Sequence, residues 1–227
     1  MRKLSVIIPC WNEKETIREI LSRLSALSIT GWIIEIIVVD DCSTDGTKEI
    51  LKNYDDMYVV VYHEKNRGKG SAVKTGIERA TGEYILIQDA DLEYDTEEIP
   101  RLLSAISDDP KQVVYGSRNL EIKDRKMMLI PRVGVWLITK EFNVLFGTKL
   151  TDLWTCYKLF PKEAGKYFAP GHFEAELSFS ARLIKNGFTI SEVAISHHPR
   201  SFEQGKKIRY RDGFMGILTI IHERFTR

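Results

Sequence analysis

The chain has 227 residues, 43% of them apolar, which is enough for one sizeable core and favours one large α/β domain over two small ones. Thirty-three Lys and Arg against 32 Asp and Glu leave a net charge of +1, so overall charge does not draw the chain to nucleic acid and any basic function must be local. Cys10, Cys42 and Cys156 are an odd, scattered set without metal-type spacing, which argues against a disulfide scaffold and for reduced thiols in a cytoplasmic setting.

The chain opens on Met1, Arg2 and Lys3 and an apolar run at 4–8, but Pro9, Asn12 and Glu13 cut that run far too short for a secretion signal. Nowhere do about eighteen apolar residues run together, so no bilayer-spanning helix is expected. Runs at 4–8, 33–39, 58–62, 84–87 and 112–115 read as strands, with helical periodicity between them near 13–27, 44–53, 70–80 and 96–107. This alternation predicts βαβ units and an α/β fold with a mostly parallel central sheet flanked by helices. Asp45 and Gly46, after Ser43 and Thr44, supply capping and turn chemistry, and Pro100 fits a helix only at its start or at a kink. The second half reads as helices near 132–146, 162–168 and 174–186, a short strand near 188–193 and a last helix near 208–224. No repeat, low-complexity stretch or linker divides the chain, so one domain is expected over 1–227.

The most informative stretch is Gln88, Asp89, Ala90, Asp91 and Leu92, directly after the apolar run at 84–87. Carboxylates just past the C-terminal end of a buried parallel strand stand where open α/β sheets bind ligands. Paired oxygen ligands suit Mg²⁺ or Mn²⁺ bridging to nucleotide phosphates, because these hard cations use one or two carboxylates and keep several waters. A dinucleotide site would need a Gly-x-Gly-x-x-Gly turn after the first strand, where this chain has Pro9, Cys10, Trp11, Asn12 and Glu13. A phosphate loop at Lys69 fails as well, since Gly70 follows the Lys in place of Ser or Thr and His63 stands where the first glycine is needed. What remains is a set of strand ends: Pro9 to Glu13, Asp40 and Asp41, Asn66 to Gly70, and Asp89 to Asp91. In a parallel sheet these ends share one edge and converge on one crevice.

That ordered set, with Ser5 to Pro9, Ser43, Asp45, Gly46 and Gly116-Ser117-Arg118, resembles the family 2 inverting glycosyltransferases of the GT-A fold. Within them it is similar to the soluble core of polyprenyl-phosphate (dolichyl-phosphate) mannose or glucose synthases, over nearly the whole chain. The resemblance implies a nucleotide-sugar-binding half at about 1–117 and an acceptor-binding half at about 118–227. Pro9, Trp11 and Glu13 would hold the nucleoside, Trp11 offering a stacking face where Tyr is more usual. Asp41 would accept from the base, with Asp40 beside it. Asp89, Ala90 and Asp91 would meet the donor, with Asp89, Asp91 and Glu93 as the metal set; Glu93 stands where Gln is common. Lys69 would contact the diphosphate. Asp89, Asp91 and Arg118 form the expected catalytic group.

The same resemblance implies an acceptor side written in cations. A polyprenyl phosphate is already ionised near neutral pH, so it needs clamps in place of a general base. Arg118 and Arg132 match the acceptor-phosphate clamp, and Arg200 with Lys206 and Lys207 matches a basic loop after the last strand; Arg suits phosphate through its planar fork. Asp152, Thr155, Cys156 and Lys158 resemble the Asp-x-x-x-Cys-x-Lys segment of the bacterial polyprenyl-phosphate branch, and with Phe173, Glu174 and Glu176 would line the acceptor mouth. Were the acceptor a hydroxyl, Glu174 or Asp152 would be the base. Cys156 has no part as a nucleophile, because inversion is a single in-line displacement. Of the adjacent His197 and His198, at most one can face the site from an extended segment.

The last helix carries Phe214, Ile217, Leu218, Ile221 and Phe225 at helical spacing beside several basic residues. Such a stripe serves packing onto the sheet or, alternatively, a membrane-surface helix. The expected function is thus transfer of mannose or glucose from a GDP- or UDP-sugar to a polyprenyl phosphate with Mg²⁺ or Mn²⁺. Expected partners are the nucleotide-sugar, the lipid phosphate, and either the cytoplasmic membrane face or a separate membrane subunit. The alternatives are a GT-A enzyme acting on a saccharide or protein hydroxyl, and a nucleotide-sugar-binding module without catalysis.

Overall fold

A computed structural model describes residues 1–120, 129–200 and 210–226, apart from the side chains at 129–133, 210 and 211. Lys206, Lys207 and the Arg132 side chain therefore lie outside the described residues. Among those described, seven strands form one sheet: β1 (Arg2–Cys10), β2 (Trp32–Asp40), β3 (Val59–Tyr62), β4 (Tyr84–Ile87), β5 (Gln112–Ser117), β6 (Lys158–Pro161) and β7 (Thr189–Ala194). Their spatial order is β3-β2-β1-β4-β6-β5-β7. Pairing is parallel except where β6 runs antiparallel between β4 and β5. The helices are α1 (Ile17–Ala26), α2 (Thr47–Leu51), α3 (Lys69–Arg79), α4 (Ile99–Ser104), α5 (Leu129–Phe146), α6 (Ala175–Lys185) and α7 (Tyr210–Phe225).

Alternation along β1 divides the core. Leu4, Val6 and Ile8 pack with α1 and α4 on one face, whereas Ile7 joins Ile37, Val39 and Ile87 against α3 and α6 on the other. Burial on both faces is why these strands read as unbroken apolar runs. A third cluster, around Ile138, Phe142, Trp154, Leu177 and Ile220, joins α5, α6 and α7. The chain travels outward through β2 and β3, then returns to lay β4 on the far side of β1. Such a reversal opens a crevice at the carboxyl ends of the strands, here between the β1 and β4 ends.

Two elements differ from the sequence reading. Strand β6 is absent from it, because Lys-Leu-Phe-Pro is too short to show a period and all four residues are buried. The helix expected near 162–168 is a short 3-10 run, Lys162–Tyr167, that only links β6 to the next loop. Pro100 falls in the first turn of α4, where its missing N–H costs no helix bond.

Candidate active site

The loops leaving β1 and β2 are stitched together. The Asn12 N–H donates to Ser43 Oγ at 2.8 Å, Glu13 N–H to Thr47 Oγ1 at 2.9 Å, and Thr44 N–H to Asn12 Oδ1 at 2.8 Å. Asn12, Cys42 and Leu92 hold φ values of 51°, 63° and 61°; the first two lie just past the ends of β1 and β2, and Leu92 lies in the loop that leaves β4. Left-handed backbone at Cys42 and Leu92 carries strain, and strain of this kind gathers where loops are held for a ligand.

Asp41 organises the third loop. Its buried carboxylate accepts from the N–H groups of Arg67 (2.9 Å) and Gly68 (2.7 Å) and pairs with His63 Nδ1 at 2.6 Å. The 66–70 loop then docks on the segment before α6: Gly70 N–H donates to His172 O and Ser71 N–H to Gly171 O. A Cβ at Gly70 would come within 2.8 Å of His172 O and 2.9 Å of Gly171 O. Gly70→Ala is accordingly expected to cost roughly 1–3 kcal/mol, read as a lowered melting temperature.

These loops enclose a cleft of about 340 Å³. Pro9, Trp11, Glu13, Asp41, Lys69, Asp89, Ala90, Asp91, Glu93, Arg118 and Arg200 all line it, so most of the residues singled out in the sequence meet in one place. Asp40, Asp152 and Glu174 do not line it. Asp40 is wholly buried behind Asp41 and accepts from Ser43 N–H at 3.2 Å. Asp152 sits behind Arg118, whose Nε and Nη2 donate to it at 2.6 and 2.7 Å. Glu174 accepts from His172 N–H at 3.0 Å. Four further lining residues, Ala72, Tyr94, Trp154 and His172, were not read from the sequence; each lies within three residues of a motif position but carries no spacing signal of its own.

Charge is distributed along the cleft in two groups. At one side Lys69 Nζ contacts Asp89 at 2.7 Å, Glu176 at 2.9 Å and Cys156 Sγ at 2.9 Å, while Glu176 also pairs with Lys158 at 3.0 Å. Burial drags the Lys69 ammonium down, but Asp89, Cys156 and Glu176 outweigh it and raise it well above the ordinary range. Burial, then Asp89 and Glu176, push the Cys156 thiol far up, which leaves it a poor nucleophile.

On the other side Glu13, Asp91 and Glu93 surround Arg200. The guanidinium forks onto Glu13 at 2.9 and 3.1 Å and reaches Asp91 Oδ2 at 3.2 Å. Arg200, expected with the acceptor, thus contacts Glu13, Asp91 and Glu93, which were expected to hold the donor and the metal. His197 Nε2 pairs with Glu93 Oε2 at 2.9 Å, and Arg200 N–H donates to Glu93 Oε1 at 3.0 Å. Burial alone would raise Glu93, but the His197 and Arg200 bonds hold it below its ordinary value. Asp91 has no such surplus of donors. Burial, then the charges of Asp89 and Glu93, push it up to about 7.

That excess of buried negative charge is what a divalent cation would relieve. Among the described residues no three His, Cys, Asp or Glu side chains form a ready-made metal cage. Mg²⁺ and Mn²⁺ at phosphate sites need only one or two carboxylates, with phosphates and waters completing the shell, so Asp91 with Asp89 fits such an ion.

Known proteins carry the same frame. The chain is 31% identical over 206 residues to the low-salt glycan biosynthesis hexosyltransferase Agl6 of Haloferax volcanii, covering 88% of this chain and 49% of that protein. It is 26% identical over 230 residues to the undecaprenyl-phosphate 4-deoxy-4-formamido-L-arabinose transferase of Shewanella sediminis (98% and 66%). It is 39% identical over 118 residues to the dolichol-phosphate mannosyltransferase of Pyrococcus furiosus (51% and 33%). The chain therefore spans between a third and two thirds of the length of these relatives. Among solved structures, glucosyl-3-phosphoglycerate synthase from Mycobacterium tuberculosis, in complex with Mn²⁺, UDP and phosphoglyceric acid, superposes with a TM-score of 0.73 at 20% identity, over 100% of this chain and 80% of that one. This likeness and the seven-stranded, mostly parallel sheet give the GT-A fold. The Glycosyl transferase family 2 profile matches residues 5–168, a stretch that takes in Trp11, Asp41, Lys69, Asp89, Asp91 and Arg118 of the cleft, and the chain belongs to that family.

Proposed function

We propose that the protein transfers a hexose, mannose or glucose, with inversion from a GDP- or UDP-sugar to a polyprenyl phosphate, using Mg²⁺ or Mn²⁺. The observation that carries this reading is the pairing of roles in the cleft. The five lining carboxylates, Glu13, Asp41, Asp89, Asp91 and Glu93, are each held by a cation or by backbone N–H groups. Glu174 and Asp152, the candidate bases for a hydroxyl acceptor, do not line the cleft. Arg118 does line it, and its Nη1 makes no hydrogen bond among the described residues while Asp152 and Trp154 O hold the rest of the fork. A pre-ionised phosphate needs such a cation and needs no proton acceptor.

Trp11 is 40% exposed at the rim and offers a face for the base. Asp89, fixed by Lys69, orients the sugar, and Asp91 with Asp89 would hold the cation, which would supply positive charge at the departing diphosphate. Arg118 steers the acceptor oxygen in line with the leaving group and screens the repulsion between two anions. The named polyprenyl-phosphate relatives support the acceptor class, and the Mn²⁺ and UDP of the M. tuberculosis synthase support the donor class.

The test is transfer of label from GDP-mannose or UDP-glucose, with Mn²⁺, onto a short polyprenyl phosphate. Label entering an organic-phase product is the expected result. Transfer only to a saccharide hydroxyl, without lipid phosphate, would overturn the acceptor assignment. Arg118→Lys keeps a charge beside Asp152 but loses the fork. It is expected to lower kcat/KM for the acceptor by about 10–100-fold, one charge-assisted hydrogen bond, with donor affinity unchanged.

A further inference from the structure

One polar side chain of the cleft takes no part in the pairing of charges. His172 lines the cleft and is exposed. Its main chain is pinned on both sides: the N–H donates to Glu174 Oε1 at 3.0 Å and the carbonyl accepts from Gly70 N–H at 3.2 Å. The ring is seated as well. Its Nδ1 edge lies on Gly68, only 2.3 Å from where a Cβ would stand, so position 68 tolerates no side chain and the loop after β3 supports the imidazole. Nε2 is on the far edge of the ring. Neither ring nitrogen makes a hydrogen bond among the described residues.

Two other histidines near the cleft differ. His63 gives Nδ1 to Asp41 at 2.6 Å and Nε2 to Thr75 Oγ1 at 2.9 Å, and His197 gives Nε2 to Glu93 at 2.9 Å. Those rings brace the carboxylates of the site. The His172 ring is held in place by a glycine and two main-chain bonds, yet has no internal partner, which is the arrangement of a group preorganised for a ligand.

Its place along the cleft selects the part of the ligand. On one side stands Gly68, whose N–H donates to Asp41, and then Lys69, whose Nζ holds Asp89 at 2.7 Å. On the other, Phe173 lines the cleft and packs in the cluster of Trp154, whose carbonyl accepts from Arg118. His172 thus lies between the loop of Asp41 and Lys69 and the wall of Trp154 and Arg118. Cations for phosphate groups are already present in Lys69 and Arg118. A sugar hydroxyl has a different need, since it both donates and accepts, and an uncharged imidazole, with one N–H and one lone pair, can answer either way where a carboxylate only accepts.

We propose that His172 binds the hexose of the donor, its Nε2 bonding one sugar hydroxyl on the side of the cleft away from Trp11. This deepens, and rests on, the reading of the cleft as a nucleotide-sugar site. A site that bonds a hydroxyl rejects a sugar that does not present it, so His172 also helps to set which hexose is taken.

Calorimetric titration with Mn²⁺ present tests it, comparing UDP-glucose with UDP, and GDP-mannose with GDP, on the unaltered protein and on His172→Ala. The variant is expected to hold the nucleoside diphosphate within about two-fold of the unaltered protein and the nucleotide-sugar about ten-fold more weakly, one hydrogen bond. His172→Gln, whose amide can donate or accept near the place of Nε2, is expected to recover most of that loss. Because the side chain is exposed, the thermal melt of either variant should match that of the unaltered protein. Equal weakening of nucleotide-sugar and diphosphate would assign the ring to the phosphates or to its loop and overturns the proposal, as does unchanged affinity for both. If the unaltered protein binds neither nucleotide-sugar nor diphosphate, the donor reading falls and the proposal with it. Donor binding that is indifferent to His172 strikes the hexose contact alone.

Discussion

Asp91→Asn is expected to lower transfer by at least ~10³-fold while leaving the fold intact, because on the proposed reading the substitution removes a charge that would hold the cation, and such a cation would supply several kcal/mol of stabilisation to the leaving group. The amide keeps the side chain's size and can still accept the Glu93 N–H that now bonds Asp91 Oδ1 at 3.1 Å. It also removes a charge that its surroundings resist: burial, then Asp89 and Glu93, push Asp91 up to about 7. A group raised in the folded state costs stability as pH climbs through its folded value. The metal-free variant should therefore melt at or above the unaltered protein near pH 8. Mn²⁺ should raise the melting temperature of the unaltered protein, by mass action on the folded state, and leave that of Asp91→Asn unmoved. Undiminished Mn²⁺ stabilisation in the variant would place the cation on other ligands; retained transfer would remove Asp91 from the reaction.

The meeting of the β1 to β4 loops in one cleft was legible because each loop follows a strand whose apolar run announces the edge. Trp11, Asp41, Lys69 and Asp91 each fall within a few residues of such an end, and a parallel sheet leaves them no other side on which to meet. Long-range partnerships were not legible. Arg200 lies 187 residues from Glu13 and 109 from Asp91, and no local pattern marks that fork. Extended spacing allowed at most one of His197 and His198 to face the site but did not say what it would meet; the His197 ring holds Glu93 at 2.9 Å across 104 residues. Asp152 read as an acceptor contact because it shares a motif with Cys156; full burial makes it the anchor of Arg118 instead of a wall of the cleft. Strand β6 was hidden for a related reason: Lys158 opens it, and a lysine at 0% exposure defies the expectation that ammonium groups stay in water. Only the carboxylate that meets it explains its place.

That carboxylate is Glu176, and its neutralisation should be the most damaging single change to stability. Glu176 is 2% exposed and stands between two ammonium groups, Lys69 Nζ at 2.9 Å and Lys158 Nζ at 3.0 Å. Lys158 gains further acceptors from Thr155 O and Leu153 O and lies 4.8 Å over the Tyr115 ring, but only Glu176 cancels its charge at contact distance among the described residues. Glu176→Gln preserves shape and leaves two buried cations with Asp89 alone. Breaking a buried ion pair from one side costs about 3–5 kcal/mol. For a chain of this size the melting temperature should fall by roughly 10 °C. Burial alone would raise the Glu176 carboxyl, but Lys69 and Lys158 outweigh it and hold it at about 2, below its ordinary 4.5. A depressed folded value means that the stabilisation is complete above the ordinary value and fades as pH falls towards the folded one. The gap in melting temperature between the two proteins should be full near pH 7 and shrink steadily between about pH 4.5 and 2. A gap that persists unchanged in acid would assign the loss to packing instead of charge. Equal melting near neutrality would mean that the chain of charges from Lys158 to Asp89 does not hold β6 and α6 together. Because Lys69 is the link from Glu176 to Asp89, the variant's affinity for the donor should fall along with its melting temperature, tying the stability of the sheet's centre to the geometry of the cleft.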